Sequence, residues 1–281
     1  MSTELEPATK SRGSNDQVPS YRYPVFDIKS PLRYNFFMAK VGIIGGSGLD
    51  DPQILKDPIE KETTNKFGQP SSTLTCGRIE GTEVVILARH GKDHGIMPTK
   101  VNFLANIFAL KEEGCTHILA ATAVGSLREE IKPGNLVFPS QFIDFTRHRN
   151  LTFFLDKAVH TPMSEPYNKK LTDLLCRASA EFGFPYNRDV TVITIEGPRF
   201  STRAESHMFR AWGADIINMS TCPEVILANE LGIPYQTIAM STDYDCWKEN
   251  EEPVTYEMVM KIMGQNAEKV KKLLLKVIPK I

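Results

Sequence analysis

Short apolar runs that stop abruptly at polar residues alternate along this chain with segments of three-and-four spacing. Val41 to Ile44 is such a run, halted by Gly45-Gly46-Ser47-Gly48, and Val84 to Ala88 is another, halted by Arg89-His90. Apolar runs this short between breaks predict buried strands. Val101, Leu104, Ala105, Phe108 and Ala109 then hold the spacing of a helix with one buried face, closed by Gly114. Further strands are predicted from His117 to Thr122, Val190 to Ile195, Ile216 to Met219 and Ile233 to Met240. Each of these runs into small, hydroxyl or charged residues. Thr202 with Glu205, and Thr221 with Glu224, have the spacing of a capping box, so a helix is predicted after each. A last helix is predicted over about 255–277, its stripe formed by Val259, Ile262, Met263, Val270, Leu273, Leu274 and Val277. Alternating strands and helices make an α/β fold, and in such sheets ligand sites gather at strand ends.

Residues 1–37 are rich in Ser, Pro, Lys and Asn and show no period, which reads as a flexible extension ahead of one domain over 38–281. A chain of 281 residues, 41% hydrophobic, can bury one large core without a second domain. Its net charge of -1, with 24% charged residues of mixed sign, provides no basic face for nucleic acid or a membrane surface. A small-molecule partner is expected. Five scattered cysteines lack the pair spacing of a metal site and read as reduced packing thiols. No run approaches the roughly 20 apolar residues that cross a bilayer, and no signal-peptide core opens the chain. A soluble cytoplasmic protein, with the nucleus as a second compartment, is the expectation.

The most informative chemistry lies in Ser241-Thr242-Asp243-Tyr244-Asp245-Cys246-Trp247. Two carboxylates spaced i, i+2 after a strand read either as a solvated acidic turn or as a fork. A fork with one carboxyl protonated matches adenine, which presents an acceptor at N7 and a donor at N6 on one edge. Neighbouring carboxylates drive their proton affinities apart, which would leave one protonated near neutrality. Gly45 to Gly48 reads as an anion cradle or a tight turn; it lacks the Lys of a Walker loop and the third glycine of a dinucleotide motif. Arg89-His90 reads as a phosphate contact or a surface pair, and Thr122, Ala123 and Ser220 as further contacts or ordinary caps. Together with Ser47 they would surround one tetrahedral anion without a metal. His160 is a ligand contact or a surface histidine, and Phe200 a stacking ring or core.

Gly42 to Asp50, Ala88-Arg89-His90-Gly91, Glu196 to Ser201, Asn218 to Thr221 and Ser241 to Trp247, taken in this order, resemble the trimeric purine nucleoside phosphorylases, and among them the branch that cleaves 5'-methylthioadenosine. The resemblance covers about residues 39–281. It implies a twisted mixed sheet flanked by helices in a single domain, a homotrimer with sites near subunit boundaries, and inorganic phosphate as co-substrate with no metal or organic cofactor. It implies phosphate binding by Ser47, Arg89, His90, Thr122, Ala123 and Ser220. Met219 would lie against the ribose, and Phe200, Ser201, Thr242, Asp243 and Asp245 would surround the base, Asp243 as the catalytic acid. His160, from a neighbouring subunit, would join Tyr256 and Val259 around the 5' group. Ser47 stands where threonine is familiar and Tyr256 where a smaller aliphatic residue is, and relatives often extend past the position of Ile281. The rival expectations are a phosphorylase for inosine and guanosine, whose O6 an ionised Asp245 would repel, and a nucleotide-binding protein without chemistry.

Overall fold

The computed structural model describes residues 39–45, 54–249 and 255–281. The predicted extension over 1–37 and the loop that holds Ser47 lie outside the described residues, as does the side chain of Tyr256.

Among the described residues, nine strands form one sheet: β1 (Lys40–Gly45), β2 (Lys56–Lys61), β3 (Leu74–Ile79), β4 (Thr82–Ala88), β5 (His117–Ser126), β6 (Leu136–Phe145), β7 (Tyr186–Ile195), β8 (Ile216–Asn218) and β9 (Tyr235–Asp243). Their order is β2-β3-β4-β1-β5-β8-β7-β6-β9, with β9 also pairing β5. That extra pairing closes β5, β8, β7, β6 and β9 into a ring. The sheet is mixed, as expected: β1 runs parallel to β4 and β5, while β8 runs antiparallel to β5.

The central strands are buried on both faces, which is why they read as continuous apolar runs. In β4, Val85 and Leu87 face one core while Val84 and Ile86 face the other, the alternation of a pleated strand. The first core is completed by α1 (Phe103–Glu112) and α4 (Thr221–Glu230), the second by α2 (Lys169–Glu181) and α5 (Tyr256–Val277). A third, smaller cluster packs α3 (Arg203–Ala211) onto β7 and β8 through Phe209, Ile193 and Ile217.

Start signals explain most helix boundaries. Asn102 caps α1 by accepting from the Ala105 N–H, so the helix begins two residues after Val101. Thr202 and Glu205 form the expected capping box on α3. The second expected box does not form: the Ser220 side chain makes no cap bond at the start of α4, and Cys222 has extended dihedrals. Glu224 is instead drawn into the interior, where it meets a buried arginine. Three strands run beyond their apolar runs: β5 continues to Ser126 and β9 to Asp243 because they pair with each other to Gly125, and β7 starts at Tyr186 because it pairs with β6 from there.

Candidate active site

The closed part of the sheet turns its strand ends inward on the second half of β5. Gly125 pairs with Ile217 in antiparallel register, so the chain after β8 runs back beside β5, and Ser220 Oγ comes within 2.8 Å of Thr122 Oγ1. On the other side Gly125 pairs with Asp243 at the end of β9. A cavity of about 440 Å³ opens there. Its lining includes twelve residues expected from the sequence: Arg89, His90, Thr122, Ala123 and Ser220 at one end, Phe200, Ser201, Thr242, Asp243 and Asp245 at the other, with Met219 and Val259 as well. His160 is exposed and does not line this cavity within the chain.

At the first end, Arg89 is no surface residue. Its side chain is 3% exposed, and Glu224, at 0%, grips it from Oε1 to Nε at 2.5 Å and from Oε2 to Nη2 at 2.9 Å. Nη1 donates to the Ala121 carbonyl at 2.8 Å. Of the five guanidinium N–H groups, one on Nη1 and one on Nη2 remain for a ligand. Burial alone would pull the arginine pKa down, but the Glu224 charge and hydrogen bonds more than offset it and the pKa is raised. Tyr235 also donates to Glu224, at 3.0 Å, so both carboxylate oxygens are engaged. His90 Nδ1 lies 2.8 Å from the Ile96 carbonyl. Burial, and then the nearby Arg89 charge, lower its pKa to about 4, so the ring is neutral at pH 7.

At the second end the two carboxylates stand in an Asx turn. Asp245 has φ 50, a conformation that aspartate tolerates, and its N–H donates to Asp243 Oδ1 at 2.7 Å. Thr242 Oγ1 has two acceptors in reach, Asp243 Oδ2 at 2.6 Å and the Val124 carbonyl at 3.2 Å. Asp243 is held above the usual carboxylate range chiefly by burial, opposed by the hydrogen bonds from Thr242 and Asp245. The Asp245 charge raises it least, so the mutual repulsion expected from the sequence is secondary to desolvation. Asp245 is itself buried, and Ser201 Oγ lies 2.8 Å from both of its oxygens, close enough to donate to either. Phe200 is 46% exposed at the mouth, so its ring is open to a flat ligand rather than packed in the core.

Three residues given no part in the site by the sequence shape it. Glu224 carries the arginine. A Cβ on Gly125 would sit 3.0 Å from Asp243 Oδ1 and 3.1 Å from Ile217 Cγ2, so glycine gives the acid room. Gly197 has φ 70, and a Cβ there would fall 2.5 Å from Met219 Sδ. Neither glycine had a local signal beyond its place in a polar strand end.

An open pocket with hydroxyls and a pinned guanidinium at one end, and a buried acid beside an acceptor at the other, is built for group transfer between a tetrahedral anion and a heterocycle. Residues 40–279 match the family model of the phosphorylase superfamily, and the chain belongs to that family. It is 53% identical over 248 residues to the S-methyl-5'-thioadenosine phosphorylase of Danio rerio, covering 86% of this chain and 89% of the relative. The methylthioadenosine phosphorylase of Schistosoma mansoni, solved with adenine, superposes with a TM-score of 0.82 at 41% identity, covering 86% of this chain and 91% of that one. A single-substitution variant of the Schistosoma enzyme solved with methylthioadenosine has the same TM-score at 40% identity and the same coverages.

Proposed function

We propose that the chain catalyses the phosphorolysis of 5'-methylthioadenosine to adenine and 5-methylthioribose 1-phosphate, a step of purine and methionine salvage. The observation that carries this reading is the meeting, in one cavity, of the Arg89 and Ser220 cluster with the Asp243 and Asp245 turn.

In this reading Asp243 enters the reaction protonated, as its burial favours. With Thr242 turned to the Val124 carbonyl, Asp243 Oδ2 is free to carry that proton toward N7. Protonation makes adenine a better leaving group, and Asp245 accepts from N6. As the bond from C1' to N9 opens, positive charge develops on the sugar, and phosphate on the opposite side stabilises it before attacking C1'. Arg89, His90, Thr122, Ala123 and Ser220, with Ser47, hold that phosphate; no metal or organic cofactor takes part. Met219 supports the ribose. Val259 lines the cavity on the side given to the 5' group, Tyr256 is assigned to that group by the resemblance alone, and His160 completes the pocket from the neighbouring subunit of a homotrimer. The exposed setting of His160 agrees with a role outside its own chain.

Adenine release from 5'-methylthioadenosine, measured with and without phosphate beside an inosine control, tests the reading. Phosphate-dependent release with little inosine cleavage is expected. Preference for inosine would move the chain to the 6-oxopurine branch and overturn the role given to Asp245.

A further inference from the structure

The anion end contains a histidine held in one sense only. A carbonyl oxygen can only accept, so the 2.8 Å contact between His90 Nδ1 and the Ile96 carbonyl requires the proton on Nδ1. The same two residues are joined again, the Ile96 N–H donating to the His90 carbonyl at 3.0 Å, so the ring cannot swing away without opening that loop. The charged and titratable groups facing the ring are Arg89, His94 and Arg149, and each disfavours a second proton. Nε2 is therefore a bare lone pair, and no described residue donates to it. The sequence marked His90 as a phosphate contact or half of a surface pair, with no direction to its hydrogen bond. The geometry makes it an acceptor.

We propose that His90 accepts a hydrogen bond from the bound anion itself, and so selects a tetrahedral anion that keeps a proton, phosphate or arsenate, over sulfate, which keeps none at neutral pH. This rests on the cavity being the phosphate site of the proposed reaction. The other contacts discriminate less: the two free N–H groups of Arg89 can only donate, and the Thr122 and Ser220 hydroxyls, 2.8 Å apart, can turn to donate to any of the three anions. Nε2 differs in having no proton to offer, so it welcomes a P–OH and opposes an S–O. With sulfate, Nε2 and the anion's oxygen would be two acceptors face to face, and the part-buried ring would lose a hydrogen bond that phosphate supplies.

Calorimetric titration of the intact protein at pH 7 with inorganic phosphate, arsenate and sulfate tests the assignment. Phosphate and arsenate should bind at least about ten-fold more tightly than sulfate, the usual size of one unsatisfied buried acceptor. In His90→Asn the amide can still donate to the Ile96 carbonyl but offers the anion no ring lone pair. Phosphate affinity should fall toward that of sulfate while sulfate affinity changes little. Sulfate binding as tightly as phosphate in the wild type, or an undiminished preference in the variant, would overturn the role of His90 alone if phosphate-dependent adenine release is intact. Loss of that release in the wild type would remove the functional reading, and this inference with it.

Discussion

The two ends of the cavity solve opposite electrostatic problems. The anion end, where a strong positive field is the obvious design, is nearly neutral: Arg89 is cancelled by Glu224 and His90 is uncharged. The base end, where two acids would be expected to ionise, keeps Asp243 biased toward its proton by burying it. In each case the protein places donors and acceptors rather than net charge. An anion whose charge is not already neutralised by its cradle has more to offer a developing sugar cation, and an acid that has kept its proton can give it up to the base.

The sharpest way to break the comparison is at the anion end. Glu224→Ala would leave a buried guanidinium without its partner, a change that typically costs about 3–5 kcal/mol. The melting temperature should fall by roughly 10 °C for a domain of this size. Because phosphate can then take the place of the lost carboxylate, it should stabilise this variant more than it stabilises the wild type. Thermal melts with and without phosphate check both statements, and equal phosphate shifts in the two proteins would mean that Arg89 does not face the anion.

At the base end, Asp243→Asn preserves the size of the side chain and its bond from the Asp245 N–H but cannot transfer a proton. A loss of about 10²-fold or more in kcat/KM is expected, with the affinity for phosphate unchanged. Steady-state adenine release together with phosphate titration separates the two ends. A variant that kept full activity would remove Asp243 from the chemistry.

These two ends were not equally legible in the sequence, and the reason is physical. The Asp turn is local: Thr242, Asp243 and Asp245 are adjacent, and the bond that shapes them spans two residues. The arginine clamp joins residues 135 apart, and nothing near Glu224 separates a clamp from a capping box. The fold shows the same contrast. The buried strands β1, β4 and β9 announced themselves as apolar runs, whereas β6 contains Pro139, which breaks the ladder at an irregular step in its pairing with β7 and hides the strand from a pattern search. The closure of β9 onto both β5 and β6, which gathers the site, is a property of pairing that no single segment carries.

Between the ends, Gly197→Ala probes the wall. A side chain at φ 70 costs roughly 1–2 kcal/mol, and the new methyl would push Met219 off its position. The KM for nucleoside should rise several-fold while phosphate binding stays as it was. A matching rise for phosphate would mean that the wall supports both ends at once.

The smallest effect expected is the most specific. When Asp243 is ionised Thr242 can donate to its Oδ2, and that bond favours the carboxylate over the acid, working against the burial that raises the pKa. Thr242→Val removes the donor at nearly constant shape, so the Asp243 pKa should rise further. An acid that must be protonated to act loses rate as pH rises through its pKa. The alkaline limb of the kcat/KM profile for 5'-methylthioadenosine should therefore move to higher pH in the variant, with little change in the rate on the plateau. A limb that moved to lower pH would mean that the group titrating there is stabilised as an acid by Thr242, the reverse of the arrangement seen at this turn. A limb that did not move would assign it to some group other than Asp243, and the buried acid would lose its claim to set the pH range of the reaction.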